Sequence, residues 1–137
     1  MKKQITKEKK FTLNQIIDIH ERFGKLSTLL QYLQALKAIG VNWYDSFAAD
    51  GHSEYFGNDN QEVVSLPVHL TLTIAKTNSR DDLQKHLNLH NQGKINYLEM
   101  SKRLAESGIE KWTFDTSKMT ITYYDGDGHK LLVETII

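Results

Sequence analysis

The residues with the clearest chemical capacity stand near the C-terminus, where Asp125-Gly126-Asp127-Gly128 supplies two carboxylates and His129 follows. A calcium loop of the EF-hand type needs oxygen ligands at positions 1, 3 and 5, glycine at 6 and a bidentate glutamate at 12, because about seven oxygens must wrap the cation. Counted from Asp125, position 5 is His129, position 6 is Lys130 and position 12 is Ile136. Two carboxylates are too few, and the stretch reads as a turn. The flanks agree, since Met119, Ile121 and Tyr123 alternate with Thr120, Thr122 and Tyr124 at strand period. If Gly126-Asp127-Gly128 is a three-residue loop with Gly128 left-handed, Tyr123 is expected to face Leu131 and Ile121 to face Val133. A two-residue loop pairs Tyr123 with Lys130 or Leu132 and Ile121 with Leu132 or Glu134, and buries less apolar surface.

His86 and His90 stand four apart, a spacing that presents two imidazoles to one metal when the segment is helical. A zinc-hydrolase helix carries glutamate directly after the first histidine, whereas Leu87 sits there. A third ligand would come from distant His52, His69 or His129. Both histidines also flank the Leu83/Leu87 stripe, as amphipathic edge residues do. Gly51-His52-Ser53-Glu54-Tyr55 begins like a nucleophile elbow, but Tyr55 replaces the closing glycine that the sharp turn requires. No glycine-rich phosphate loop or dinucleotide fingerprint occurs.

Asp45 and Asp115 follow the two tryptophans, Trp43 and Trp112, at two and three residues. Paired carboxylates beside aromatic surface can do acid–base work or hold a polar ligand, and they also cap strand ends, as Asp115-Thr116-Ser117-Lys118 suggests. The candidate binding set is therefore Trp43, Tyr44, Asp45, Trp112, Asp115 and Tyr124. Tyr55, Phe56, Phe114 and Tyr123 add aromatic area suited to a core or a pocket, without the basic interleaving that single-stranded nucleic acid requires. No residue is assigned as catalytic, none as a firm metal ligand, and no cofactor is expected.

Elements that position these residues follow from period and punctuation. Thr12 with Gln15 forms a capping box, Leu13, Ile16, Ile17 and Phe23 recur at helical spacing, and Gly24 offers a stop. Ser27 is the expected N-cap of a second helix, with Leu29, Leu30, Leu33, Leu36 and Ile39 on one face and Gly40 at its end. The stretches VNWYDSF, HSEYFG and VVSLPVHLTLTIA are strand-rich, and Pro67 belongs at a strand start, bulge or edge. Ser79 with Asp82 opens a third helix ended by Gly93, and a fourth runs from about Asn96 to Ser107 before Gly108. KWTFD, MTITYYD and HKLLVETII complete the chain as strands. The expectation is an α+β fold in which paired helices cover one face of a mostly antiparallel sheet.

GKLSTLLQYLQALKAIGVNWYD from Gly24 and GKINYLEMSKRLAESGIEKWTFD from Gly93 share their punctuation, with Trp43 and Trp112 in equivalent places. This suggests α-α-β-β-β written twice, as pseudo-repeats 12–78 and 79–137, although any helix–glycine–strand unit needs similar residues.

With 137 residues the chain suits one domain, residues 12–137, preceded by a basic tail over residues 1–11. The absence of cysteine excludes disulfides, thiolate metal sites and cysteine nucleophiles, and agrees with a cytoplasmic location. Zero net charge gives no global field for nucleic acid or anionic membrane, and no apolar run approaches the ~20 residues needed to cross a bilayer. The lysines of MKKQITKEKK precede no apolar run of the secretory kind and read as a solvated tail, or as an arm for phosphates.

From Gly93 onward a set of residues resembles a known family. Ala105, Gly108-Ile109, Trp112, Asp115, Thr122-Tyr123-Tyr124-Asp125, Gly128 and Glu134-Thr135-Ile136 are similar to small bacterial and prophage proteins of the YbcV type, labelled phage envelope protein and classed as a domain of unknown function. Gln92-Gly93 with Tyr97, and Gly40-Val41 with Tyr44, extend the resemblance over nearly the whole chain. It implies a stand-alone intracellular α+β protein without an established activity. Taken together, these features point to a non-catalytic module that binds a protein or a small ligand in a crevice between the halves, with no nucleic-acid or membrane partner. The alternatives are a small enzyme using Asp45 and Asp115 or the His86/His90 pair, and a homodimer formed through a sheet edge such as HKLLVETII.

Overall fold

The structure, a computed structural model, describes residues 10–136, so the expected basic tail lies outside the described residues except for Lys10 and Phe11. Phe11 is buried, and its carbonyl accepts a hydrogen bond from Gln61 Nε2 at 2.7 Å, so packing begins one residue before the expected boundary. Ten main elements follow: helices α1 (Leu13–Phe23) and α2 (Leu29–Ala38), strands β1 (Trp43–Phe47), β2 (Ser53–Phe56) and β3 (Glu62–Val64), helices α3 (Arg80–Asn91) and α4 (Tyr97–Glu106), and strands β4 (Ile109–Asp115), β5 (Thr120–Asp125) and β6 (Lys130–Thr135). The strands form one antiparallel sheet in the order β3-β2-β1-β4-β5-β6. The fold is α+β, and among the described residues no helix is long and apolar enough to cross a membrane.

Local chemistry accounts for most boundaries. Thr12 accepts from Gln15 N while the Gln15 side chain accepts from Thr12 N, closing the capping box of α1. Ser79 and Asn96 cap α3 and α4 in the same way, by accepting from Asp82 N and Glu99 N. A spacing of 68 residues carries Leu29–Ala38 onto Tyr97–Glu106, and the first residue of β3, Glu62, onto that of β6, Lys130. Gly40 and Gly108 keep this spacing and both hold a left-handed φ, +102° and +82°, which glycine adopts without a Cβ clash.

Strand parity sorts the side chains. Tyr44 and Ser46 in β1 pair with Phe114 and Trp112 in β4, and their face meets the helices, where the Tyr32 ring lies 6.2 Å from Tyr44 and the Tyr97 ring 6.4 Å from Trp112. Leu33, Leu36, Leu83, Leu87 and Leu104 are fully buried between helices and sheet. Trp43, Asp45 and Phe47 point to the other, helix-free face.

Four expectations need correction. Ser27 does not cap α2. Residues Leu26–Thr28 form a 3-10 turn instead, and the Thr28 hydroxyl donates back to Phe23 O at 2.6 Å. The run after Val64 is not a strand, because Pro67 has no N–H and the following amides leave the ladder. Val68 and His69 donate to Asp50 O, Leu72 to Ala49 O and Ala75 to Ala105 O.

The loop Gly126-Asp127-Gly128 is as expected, with Gly128 at φ +84°. A bulge beyond it pairs Tyr123 with Leu132 and Ile121 with Glu134, rather than with Leu131 and Val133. Glu134 tolerates this place because the Tyr123 hydroxyl donates to Glu134 Oε1 at 2.8 Å. Trp43 and Trp112 are not equivalent either. Trp112 is 2% exposed beneath the helices and Trp43 is 40% exposed on the open face, because the spacing of 68 aligns Tyr44, not Trp43, with Trp112.

Candidate functional site

The six candidate binding residues divide between the two faces. Trp43, Asp45, Asp115 and Tyr124 lie on the open face, where Trp43 stacks on Phe56 at 5.0 Å. Asp45 is buried there by its partners. Thr113 Oγ1 donates to Asp45 Oδ1 at 2.5 Å and Lys111 Nζ to Asp45 Oδ2 at 3.2 Å. The same ammonium sits over the Phe47 and Tyr124 rings at 5.9 and 5.6 Å, a cation–π sandwich. Asp115 is engaged elsewhere, its Oδ1 accepting from Ser117 N and Lys118 N to close the β4–β5 turn. Both carboxylates are satisfied locally, and they do not converge on a shared proton or ligand.

Asp125, Asp127 and His129 are the one group among the described residues that brings three ligating atoms within 4.8 Å. Asp125 is nevertheless occupied internally: Oδ1 accepts from Asp127 N and His129 N, while Oδ2 accepts from Asn78 Nδ2 and faces His129 Nδ1 at 3.1 Å. These bonds, the His129 backbone N–H foremost, hold its carboxyl below the usual carboxylate range. The carboxylate organises a turn. His86 and His90 on α3 belong to no such group: His90 Nδ1 faces Ile95 O at 3.3 Å, and desolvation, reinforced by Arg103, lowers the pKa of His86.

Tyr44 and Trp112 are the two candidates on the helical face, and around them lies a denser constellation. α1 packs on α2 and α3 on α4, and the line along which the two pairs adjoin above β1 and β4 forms a seam. Tyr32 from α2, Tyr44 from β1, Tyr55 from β2 and Tyr97 from α4 converge there. Tyr44 stacks between Tyr55 at 4.9 Å and Phe114 at 4.4 Å.

Three serines complete the group. Ser46 Oγ lies 3.3 Å from Ser53 Oγ. The Tyr97 hydroxyl neighbours Ser101 and Ser46, and Ser101 Oγ is fully buried without a hydrogen-bond partner. Desolvation, with the mutual proximity of the rings, raises the pKa of Tyr32 and Tyr44 far above that of a free phenol, and desolvation raises Tyr55 and Tyr97. All four remain protonated at neutral pH. Tyr97 is half-exposed and forms the solvent side of the seam.

Tyr32 and Ser101 were not singled out from sequence. Their signal was a polar group on an apolar helical stripe: Tyr32 lies within Leu29/Leu33/Leu36, and Ser101 within Met100/Leu104/Ala105.

The model of the family described as Protein of unknown function (DUF1398) matches residues 18–135. No curated protein matches the chain.

Proposed function

The chain belongs to the DUF1398 family, which brings no activity with it, and we propose that it is a small non-catalytic binding module that receives its ligand in the seam between α2 and α4. One observation carries this reading: Ser101 Oγ is fully buried without a partner, beside a half-exposed tyrosine. An unpaired buried hydroxyl costs about 1–3 kcal/mol, a penalty that a ligand oxygen at that point removes.

The chemistry of the seam selects the ligand. Protonated phenols and serine hydroxyls are neutral donors with adaptable acceptor capacity, so they suit a small molecule bearing carbonyl or hydroxyl oxygens. Phenols with raised pKa values stay protonated at neutral pH and give up a proton reluctantly, which favours binding over catalysis. The enzymatic alternative would need Asp45 released from Lys111 and Thr113, or His86 and His90 joined by a third ligand.

Two finer placements belong to the same proposal. Kinship with the YbcV-type proteins is supported by the glycines and aromatics from Gly93 onward. Derivation from two similar halves, residues 12–78 and 79–137, is supported by the spacing of 68 residues that relates α2 to α4 and Gly40 to Gly108, and by a strand order that reads outward alike from β1 and β4.

Ring-labelled tyrosine spectra recorded against acetamide, N-methylacetamide and glucose test the seam. Saturable shifts at Tyr97 and Tyr32 that disappear in Ser101→Leu are expected. Rings that respond to none of the three probes would remove the proposal.

A further inference from the structure

His52, the residue before β2 at the end of the β1–β2 turn, stands between two carboxylates. Its Nδ1 lies 2.6 Å from Asp50 Oδ1 and its Nε2 3.0 Å from Glu54 Oε2. Ionised carboxylates only accept, so both contacts are hydrogen bonds together only when the ring is the imidazolium. The ring stacks flat on Phe47 at 4.4 Å, and Lys111 reaches over that phenyl from β4. His69, from the irregular segment that follows β3, approaches Asp50 and packs against Gly51. Asp50, Glu54, His69 and Lys111 are thus the charged and titratable groups around His52.

The same turn anchors that segment. Asp50 O accepts from Val68 N at 2.9 Å and His69 N at 3.2 Å, and Ala49 O accepts from Leu72 N at 2.6 Å. Side-chain burial contributes little along the way, since Leu66, Val68 and Leu70 are 77%, 65% and 89% exposed. Three amide bonds to the turn, the His69 ring against Gly51 and the half-buried Leu72 side chain against the core hold residues 66–72.

We propose that Asp50, His52 and Glu54 form a pH-sensitive latch: the protonated ring holds the turn whose carbonyls dock residues 66–72, and deprotonation lets that apolar segment detach. A neutral imidazole has one N–H, so proton loss leaves one carboxylate facing a lone pair and removes the positive charge between Asp50 and Glu54. Burial opposes the charged ring, but the hydrogen bonds and charges of the two carboxylates outweigh it and raise the His52 pKa above 6.5. A raised folded-state value gives stability that is complete below 6.5 and lost as pH rises through that value, so the latch opens on the alkaline side.

Amide exchange of Val68, His69 and Leu72, corrected for intrinsic rates between about pH 6 and about pH 9, reads the latch directly. Protection should fall roughly tenfold for each unit of folded-state shift relative to free histidine as the ring titrates. His52→Gln should show low protection of the same three amides at every pH, while Leu33 and Trp112 stay protected. Protection that does not change while the His52 ring titrates, or a His52→Gln profile like that of the unaltered protein, would overturn the proposal.

Discussion

Leu33 in α2 and Ser101 in α4 stand 68 residues apart at matching positions of the two helical pairs. Both are fully buried, but one fills its place with an isobutyl group and the other with a hydroxyl that has no partner. The same contrast recurs on the sheet. Ser46 corresponds to Phe114 and Ser53 to Ile121, again at 68 residues, and all of these face the helices. Elsewhere the halves agree: Leu36 and Leu104, Val41 and Ile109, and Tyr55 and Tyr123 are buried pairs at that spacing. The differences are not scattered. Ser46 and Ser53 touch, and the Tyr97 hydroxyl neighbours Ser46 and Ser101. Where Leu33, Phe114 and Ile121 fill their places with apolar groups, the three corresponding positions carry hydroxyls gathered on one side of the central strand pair. Small polar replacements in a core weaken its packing and carry a desolvation cost, so their clustering supports the proposed ligand site.

The comparison is broken most strongly at the tryptophans. Trp112→Ala empties a buried, ring-lined place beneath Tyr97 and should cost about 3–5 kcal/mol in urea unfolding, whereas Trp43→Ala removes one exposed stacking partner, worth about 0.5–1.5 kcal/mol. Equal losses would mean that the two faces of the sheet are not energetically distinct. A finer test uses the α2/α4 pair. Leu33→Ala should destabilise by about 2–5 kcal/mol, while Ser101→Ala removes an unpaired hydroxyl and should stabilise the ligand-free protein by about 1 kcal/mol. If Ser101→Ala instead destabilises the free protein by a similar amount, the hydroxyl has a structural partner and the seam loses its main support.

Much of this arrangement was legible in the residues, for identifiable reasons. Caps and stops are local chemistry, so Thr12, Ser79 and Asn96 and the glycines after the helices located most helix ends within one or two residues. Strand identity after β3 was not legible. The alternation Val64, Leu66, Val68, Leu70 has the correct period, but the amides of Val68, His69 and Leu72 go to the carbonyls of a turn about eighteen or more residues upstream instead of to a ladder. The β5–β6 register failed for a related reason. A rule of greatest apolar pairing could not anticipate that the Tyr123 hydroxyl would satisfy Glu134 and allow a bulge. The candidate set on Trp43, Asp45, Asp115 and Tyr124 followed carboxylates and indoles along the chain, and parity turned those four away from the helices. The seam instead depends on polar residues within apolar stripes, a signal of absence that a single stripe shows only faintly.

Two turns, each pairing an aspartate with a histidine, sharpen the contrast between the halves at smaller energies. Asp50 is lowered below 3.8 although burial opposes it, because His52 donates to it from both backbone and ring, and Asp125 is lowered chiefly by the His129 backbone N–H. A depressed carboxylate supplies stability above its ordinary value and loses it as pH falls through the folded value, so both turns weaken in acid. The β1–β2 turn should also weaken in alkali, since His52 is held from both sides. His129 is 74% exposed against 21% for His52, and it meets a single carboxylate. His129→Ala should therefore change the urea midpoint by less than about 0.5 kcal/mol equivalent and leave the alkaline limb of stability intact, whereas His52→Gln should flatten that limb. A pH profile in which His129→Ala flattens the alkaline limb as much as His52→Gln would place the titrating contribution in the wrong turn, because the single contact of an exposed ring is screened by water whereas the two contacts of His52 are partly shielded.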